Sequence, residues 1–129
     1  MSVKPYTPSE AELEILQVLW EAAPRTVREI HEILIVSKKV GYTTTLKQMQ
    51  RMTEKGLIQR VGSGSPHLFE AIAQESEVQG KLFRRLLNTA FKGSAMELVM
   101  HALGEAKSNP DEIAELEAWL AQQKKAKDE

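Results

Sequence analysis

The segment that decides the fold runs from Thr26 to Ile72 and reads TVREIHEILIVSKKVGYTTTLKQMQRMTEKGLIQRVGSGSPHLFEAI. Its first four residues, Thr26 to Glu29, have the form of a capping box, which starts a helix. Apolar residues then recur at helical spacing: Val27, Ile30, Ile33 and Leu34. The stretch from Ser37 to Gly41 is short and polar, which predicts a turn before a further helix.

That further helix is predicted from about Thr43 to Lys55. Gly56 follows it, and glycine is the usual residue of a left-handed C-terminal cap. A helical wheel places three residues on the inner face: Thr45, Met49 and Met52. The same wheel places Leu46 on the flank of the helix. It places five polar residues on the outer face: Thr43, Thr44, Lys47, Gln50 and Arg51.

The sequence on both sides of these helices completes one recognisable order of elements. An earlier helix is predicted to begin at Thr7, as its N-cap, and to end before Pro24. After the glycine cap, Leu57–Val61 and His67–Ile72 are short strand-like runs joined by a Gly/Ser turn. Three helices followed by a hairpin predict a winged helix-turn-helix, so the fold is mostly α with a small β-hairpin.

The helix predicted from Thr43 has the side chains that read DNA. In helix-turn-helix proteins the second helix of the motif enters the major groove, where these residue types contact bases and phosphates. The predicted DNA-binding residues on this helix and the wing are Thr43, Thr44, Leu46, Lys47, Gln50, Arg51, Arg60 and Ser63. For the three threonines, the alternative to DNA contact is a helix cap followed by β-branched residues. For the wing, the alternative is a flexible turn without function.

Charge is concentrated in the same part of the chain, although the net charge is only −1. Between Pro24 and Val61 there are eight Lys and Arg against three Glu, a surplus of five positive charges. Such a surplus is typical of a phosphate-contacting face, and the alternative is an ordinary solvated surface.

The region 74–129 is predicted to be a helical dimerisation region that follows a winged domain at 1–73. Its apolar residues fall on helix faces too rich in hydrophobic side chains to be left in water. The residues predicted for the dimer interface are Leu82, Leu86, Leu98, Val99, Ala102, Leu103, Ile113, Leu116 and Leu120. The alternative is that these faces fold back on the winged domain of their own chain.

Several classes of function are disfavoured by composition. The chain has no cysteine, which excludes disulfides and thiolate metal sites. Its three histidines, His31, His67 and His101, lack metal-ligand spacing, and no phosphate-binding loop or nucleophile motif is present. We therefore expect no enzyme, no metal and no cofactor. No signal peptide or membrane span is indicated, so a cytoplasmic protein is expected. A protein-interaction module and a regulator that binds a small effector directly are the alternatives.

The stretch YTTTLKQMQRMTEKGLI, from Tyr42 to Ile58, resembles the recognition helix of the penicillinase-repressor (BlaI/MecI-like) family. ELEILQVLW at Glu12–Trp20 and NTAFKGSAMELVMHAL at Asn88–Leu103 are similar to the same family, as is SNPDEIAELEAWL further on. The resemblance implies a homodimeric repressor that binds a palindromic DNA operator. For many members it also implies a membrane-embedded zinc metalloprotease sensor, which relieves repression by cleaving the repressor.

Two departures from the family pattern bear on how repression is relieved. The resistance repressors are cut at an Asn-Phe pair, and the matching position here is His101-Ala102. The copper-responsive branch has C-terminal cysteine motifs, which this chain lacks. Copper sensing through thiolates is therefore excluded, and the resemblance does not carry a cleavage bond over to this chain.

Overall fold

The computed structural model of the chain describes residues 7–105 and 109–127. In this part the chain forms six helices and one antiparallel pair of strands. Their order is α1 (Glu10–Glu21), α2 (Val27–Leu34), α3 (Tyr42–Glu54), β1 (Ile58–Val61), β2 (Leu68–Ala71), α4 (Glu75–Ala90), α5 (Ala95–Glu105) and α6 (Pro110–Lys127). The predicted mostly helical fold with a small hairpin is confirmed.

The N-terminus of α1 differs from the prediction. Ser9 is the N-cap, not Thr7: the Glu12 amide donates to Ser9 Oγ over 3.3 Å, and the Ser9 amide donates to Glu12 Oε1 over 2.8 Å. The Glu12 side chain is buried, and its other oxygen, Oε2, accepts from Lys55 Nζ over 2.9 Å. A contact between distant parts of the chain thus favours the later of two possible caps.

The predicted capping box of α2 is confirmed. The Glu29 amide donates to Thr26 Oγ1 over 3.1 Å, and the Thr26 amide donates to Glu29 Oε1 over 2.9 Å. This backbone N–H of Thr26 is the main reason that the pKa of Glu29 lies below its ordinary value of 4.5. At the other end of the motif, Gly56 has φ 79°, the left-handed conformation expected of a C-terminal cap.

The hairpin forms the wing and is attached to the rest of the domain. β1 and β2 pair in the register Ile58 to Ala71 and Val61 to Leu68. Arg25, in the connection between α1 and α2, donates its N–H to Phe69 O over 3.1 Å and accepts from Phe69 N–H over 2.9 Å. The base of the wing therefore has a fixed position beside α2.

One hydrophobic core holds the first three helices and the hairpin together. It consists of buried side chains from α1, α2, α3 and the start of β1: Ile15, Leu16, Val18, Leu19, Val27, Ile30, Leu34, Met49, Met52, Leu57 and Ile58. Trp20 adds a polar link from α1, because its Nε1 donates to Ala73 O over 2.8 Å. The core thus fixes the helix that was predicted to read DNA.

The chain divides into two compact units, one up to Phe83 and the other from Arg84 onward. The predicted domain boundary between residues 73 and 74 stays a prediction, and the ends 1–6 and 128–129 lie outside the described residues. In the second unit, side chains cap the starts of two helices. The Glu97 amide of α5 donates a hydrogen bond to Ser94 Oγ, and the Asp111 amide of α6 donates one to Asn109 Oδ1. No helix in residues 7–105 or 109–127 combines the length and the apolar character of a membrane span.

Candidate nucleic-acid interface

The inner face of α3 fixes its orientation. Thr45, Met49 and Met52 are the buried residues of this helix, as the helical wheel predicted. Thr45 Oγ1 lies 3.1 Å from Nδ1 of His31 on α2, so a hydrogen bond joins the two helices of the motif. The packing of the buried methionines and this hydrogen bond together fix the orientation of α3 within the domain.

The outer face of α3 carries the predicted DNA-binding residues. Five of the six are exposed: Thr43, Thr44, Lys47, Gln50 and Arg51. The sixth, Leu46, is half-buried and packs against the core. The structure therefore brings these six side chains onto one helix, with the polar ones in solvent and the leucine at the boundary.

The N-terminus of α3 is open. Its N-cap is Gly41, which has no side chain, and no side-chain hydrogen bond caps the helix. The first amides of an α-helix have no partner within the helix and are oriented, with the positive end of the helix dipole, toward any acceptor outside it. The free amides at this end of α3 can therefore donate directly to a phosphate oxygen.

Tyr42, at the first position of α3, joins the two helices at their exposed edge. The guanidinium of Arg28 on α2 lies 5.6 Å from the centroid of the Tyr42 ring, within cation–π range. The His31 ring meets Tyr42 edge to face, with centroids 5.5 Å apart. Arg28 is therefore oriented next to the open end of α3, while its charge remains in solvent.

The wing carries the remaining two predicted residues, and both are exposed. Arg60 donates from Nη2 to Gly64 O over 2.9 Å, which ties its guanidinium to the tip of the turn. Ser63 lies in that turn beside Gly62, whose φ of 71° only glycine adopts without strain. Since a guanidinium has five N–H donors, Arg60 retains donors for an outside acceptor.

A cleft of about 360 Å³ lies between the start of α2, the outer face of α3 and the part of the wing formed by β2 and the turn before it. It is lined by Thr26, Val27, Arg28, Tyr42, Leu46, Gln50, Pro66, His67 and Phe69. Sequence reasoning did not single out Arg28 and Tyr42 as site residues, and for His67 it favoured a strand-end role over a phosphate contact. Only the folding of three separate segments against one another brings them together.

Part of the basic stretch does not belong to this surface. Lys55 pairs with the buried carboxylate of Glu12 at 2.9 Å, and Lys38 pairs with Glu14 at 3.2 Å, both on α1. Counting charges along the sequence therefore overstates the positive charge that is available to an outside partner. The exposed basic residues of α3 and the wing, together with Arg28, form no ion pair with any residue that the structure describes.

The predicted dimer-interface residues lie on α4, α5 and α6. Four of them are half-buried within the single chain: Leu82, Leu98, Ile113 and Leu116. The other five are exposed: Leu86, Val99, Ala102, Leu103 and Leu120. Of the residues described from Arg84 onward, none has a buried side chain. Within residues 7–105 and 109–127, no three His, Asp or Glu side chains are grouped as metal ligands would be.

The sequence profile of the penicillinase repressor family matches residues 8–122. The chain belongs to this family. This penicillinase-repressor family member is 26% identical over 116 residues to the methicillin resistance regulatory protein MecI of Staphylococcus aureus strain N315, covering 90% of this chain and 94% of that protein. It is 28% identical over 116 residues to the transcriptional regulator BlaI of Mycobacterium tuberculosis strain H37Rv, covering 84% of each.

Among solved structures, a MarR family protein from Bacillus stearothermophilus has a similar fold. The TM-score is 0.55 at 20% sequence identity, over 96% of this chain and 78% of that one. This similarity supports the winged-helix fold, and the family match confirms the expected repressor family. Membership of a repressor family also confirms the expectation that the chain is a regulator and not an enzyme.

Proposed function

We propose that this repressor binds a palindromic DNA operator as a homodimer, with α3 in the major groove and the wing beside it. The observation that carries the proposal is the geometry of α3. Its buried face holds it rigidly, its open N-terminus faces outward, and its exposed side includes Lys47, Gln50 and Arg51. These are the residue types that pair with base edges and phosphates.

The cleft beside α3 extends the proposed DNA contact to two residues outside the predicted set, Arg28 and His67. The guanidinium of Arg28 is held beside the Tyr42 ring, and His67, which directly precedes β2 at the turn end of the wing, lines the same cleft. A phosphate backbone passing between a recognition helix and a wing would run along this cleft. Arg28 and His67 would then hold the backbone, while the outer face of α3 reads the bases.

The first experiment compares Lys47→Ala/Arg51→Ala with wild type on an operator obtained by selecting bound genomic fragments. Each lost contact costs about 1–3 kcal/mol, so we expect affinity to fall about 30-fold or more. The slope of log affinity against log salt should decrease by about 2 if both residues contact phosphates. The matched control is Lys124→Ala/Lys125→Ala, which removes the same charge from the exposed end of α6. Equal affinities for the two double variants would contradict the proposal.

The proposed homodimer is supported by the exposure of apolar side chains in the second unit. Met96 and Met100 on α5 and Trp119 on α6 are 72%, 64% and 55% exposed in the single chain. Apolar surface on this scale on otherwise unburied helices is what a partner subunit covers. A two-fold dimer would also place two α3 helices on two half-sites of one operator.

Sedimentation equilibrium tests the dimer and separates it from folding back within one chain. We expect wild type to be dimeric at micromolar concentration and Val99→Asp/Leu103→Asp to be monomeric, because each aspartate would have to be desolvated in the interface. The control Gln122→Asp adds charge at an exposed position of α6 and should remain dimeric. A monomeric wild type would overturn the proposal.

For release from the operator we propose a signal from a membrane-embedded metalloprotease, as the family resemblance implies, acting on the chain in the cytoplasm. The position that matches the cleaved bond in the resistance repressors, His101–Ala102, lies inside α5, and the His101 ring contacts Phe91 edge to face at 5.3 Å. Mass spectrometry of the chain from induced cells would locate a cleaved bond. An intact chain after induction would contradict release by proteolysis.

A further inference from the structure

The end of α2 carries apolar side chains that neither the core nor the proposed DNA interface uses. Ile33, Ile35 and Val36 are 40%, 47% and 86% exposed, and we call these three residues the apolar corner. The backbone here is held in place: the Val36 amide donates to Ile33 O over 3.3 Å, and the Lys38 amide donates to Leu34 O over 3.1 Å. The corner is therefore a fixed feature of the surface, and its exposure is unfavourable unless something covers it.

Two shallow hollows of similar volume adjoin Val36. One shallow hollow, of about 460 Å³, is lined by Ile33 and Glu32 together with Arg25 and Glu29. The second, of about 440 Å³, is lined by Ile35, Lys38, Lys39 and Val40. Val36 and Ser37 line both hollows. A protruding valine thus has a depression on either side, and the two depressions are nearly equal in volume.

The two hollows differ in charge. Glu32 lies at the first and Lys39 at the second, and neither forms an ion pair with any residue that the structure describes. Their charged neighbours are engaged with other groups: Arg25 pairs with Glu29 at 4.0 Å, and Lys38 pairs with Glu14. Glu29 also accepts from the Thr26 amide. An unpaired carboxylate and an unpaired ammonium group therefore line different hollows beside Val36.

A surface with this arrangement is complementary to itself. In a two-fold contact the same patch is used on both partners, so an acidic side must meet a basic side across an apolar centre. We infer that the apolar corner is a contact between two copies of this chain. Each Val36 enters a hollow beside the partner copy's Val36, and each Glu32 faces the Lys39 of the other copy.

The size of the patch determines when the contact forms. A stable interface buries about 800 Å² on each partner, and three half-exposed or exposed side chains cover much less. The contact is therefore weak between free molecules and forms where DNA holds two dimers side by side, at high effective concentration. The inference rests on the proposed operator binding and on the C-terminal dimer, and it adds cooperative occupation of neighbouring operators.

The test measures affinity on DNA with one operator and with two operators, their spacing varied in steps of about 10.5 base pairs, one helical turn. Cooperativity is the ratio of the two affinities for the same protein, so any change in DNA binding itself cancels. Wild type should show about tenfold cooperativity or more at one spacing at least, and Val36→Asp should show none. The control Ile72→Asp places the same charge at another exposed apolar residue, 46% exposed, and should keep the cooperativity.

Charge reversal distinguishes a two-fold self-contact from any other use of the corner. Glu32→Lys alone brings lysines together and Lys39→Glu alone brings glutamates together, so each should reduce cooperativity. The double variant Glu32→Lys/Lys39→Glu exchanges the two charges and should restore it. Failure of the double variant to restore cooperativity, or a wild type without cooperativity at every spacing, would overturn the inference.

A cross-linking experiment gives a readout that does not depend on affinity. The chain has no cysteine, so Val36→Cys contains a single thiol in each subunit. A short bismaleimide should link two subunits on DNA with two operators and should not do so on DNA with one. Equal linking on both DNAs would contradict the contact. If wild type did not bind DNA with a single operator, that result would count against the proposed function and not against this contact. The two failures can therefore be told apart.

Discussion

The hydrogen bond between His31 and Thr45 should contribute measurably to the stability of the winged domain. Thr45 is 2% exposed, and its Oγ1 lies 3.1 Å from His31 Nδ1, so the bond is shielded from water on the threonine side. Thr45→Val removes the hydroxyl and retains the shape of the side chain, so no cavity forms. The second contact of the hydroxyl, 3.5 Å to Gly41 O, is at the limit for a hydrogen bond and adds little.

The expected loss in the free energy of unfolding of Thr45→Val follows from these contacts. One neutral hydrogen bond contributes about 1 kcal/mol, and a buried donor or acceptor left without a partner costs about 1–3 kcal/mol. His31 is only half-buried and can turn its free nitrogen toward water, so the lower end applies. We expect the free energy of unfolding to decrease by ~1–1.5 kcal/mol, which lowers Tm by about 4–12 °C for a domain of this size.

The assay is urea denaturation followed by tryptophan fluorescence. The chain has two tryptophans, and Trp119→Phe leaves Trp20 as the single reporter, which lies in the winged domain. The matched control is Thr53→Val in the same helix, where the hydroxyl donates only to Met49 O of its own helix over 2.8 Å and the side chain is exposed. Its cost should stay below about 0.5 kcal/mol, the range of ordinary surface substitutions. Equal losses for the two valine variants would refute the reasoning.

Three further predictions concern the same domain. Trp20→Phe removes the 2.8 Å hydrogen bond to Ala73 O and should lower the free energy of unfolding by ~1–2 kcal/mol in thermal denaturation; an unchanged Tm would mean that the bond carries no stability. Met52→Ala should cost about 2–5 kcal/mol in the same experiment, because Met52 is fully buried. The lowered pKa of Glu29, caused mainly by the Thr26 amide, stabilises the fold above pH 4.5, and this stability is lost as the pH falls through the folded-state pKa. Glu29→Gln, which can still accept from Thr26, should therefore have a lower free energy of unfolding than wild type at pH 7 and nearly the same value in acid; a difference in stability that does not depend on pH would contradict this.

Elements that depend on residues close in sequence were predicted well. The capping box Thr26–Glu29 and the glycine cap at Gly56 are made by residues at most five apart, so their chemistry can be read directly from the sequence. The inner face of α3 follows from helical periodicity in the same way. The start of α1 was placed wrongly because Thr7 and Ser9 both precede a glutamate by three residues. Local rules could not choose between them.

The sequence by itself determined the order of the elements, the polar face of α3 and the family to which the chain belongs. Only the tertiary structure decided which charges are available. It pairs Lys55 with Glu12 across 43 positions of the chain, which selects the Ser9 cap and removes a cation from the basic stretch. It also places Arg28 on Tyr42 beside the wing. Charge pairs of this kind depend on distances in space, which spacing along a chain does not specify once the residues lie on different elements.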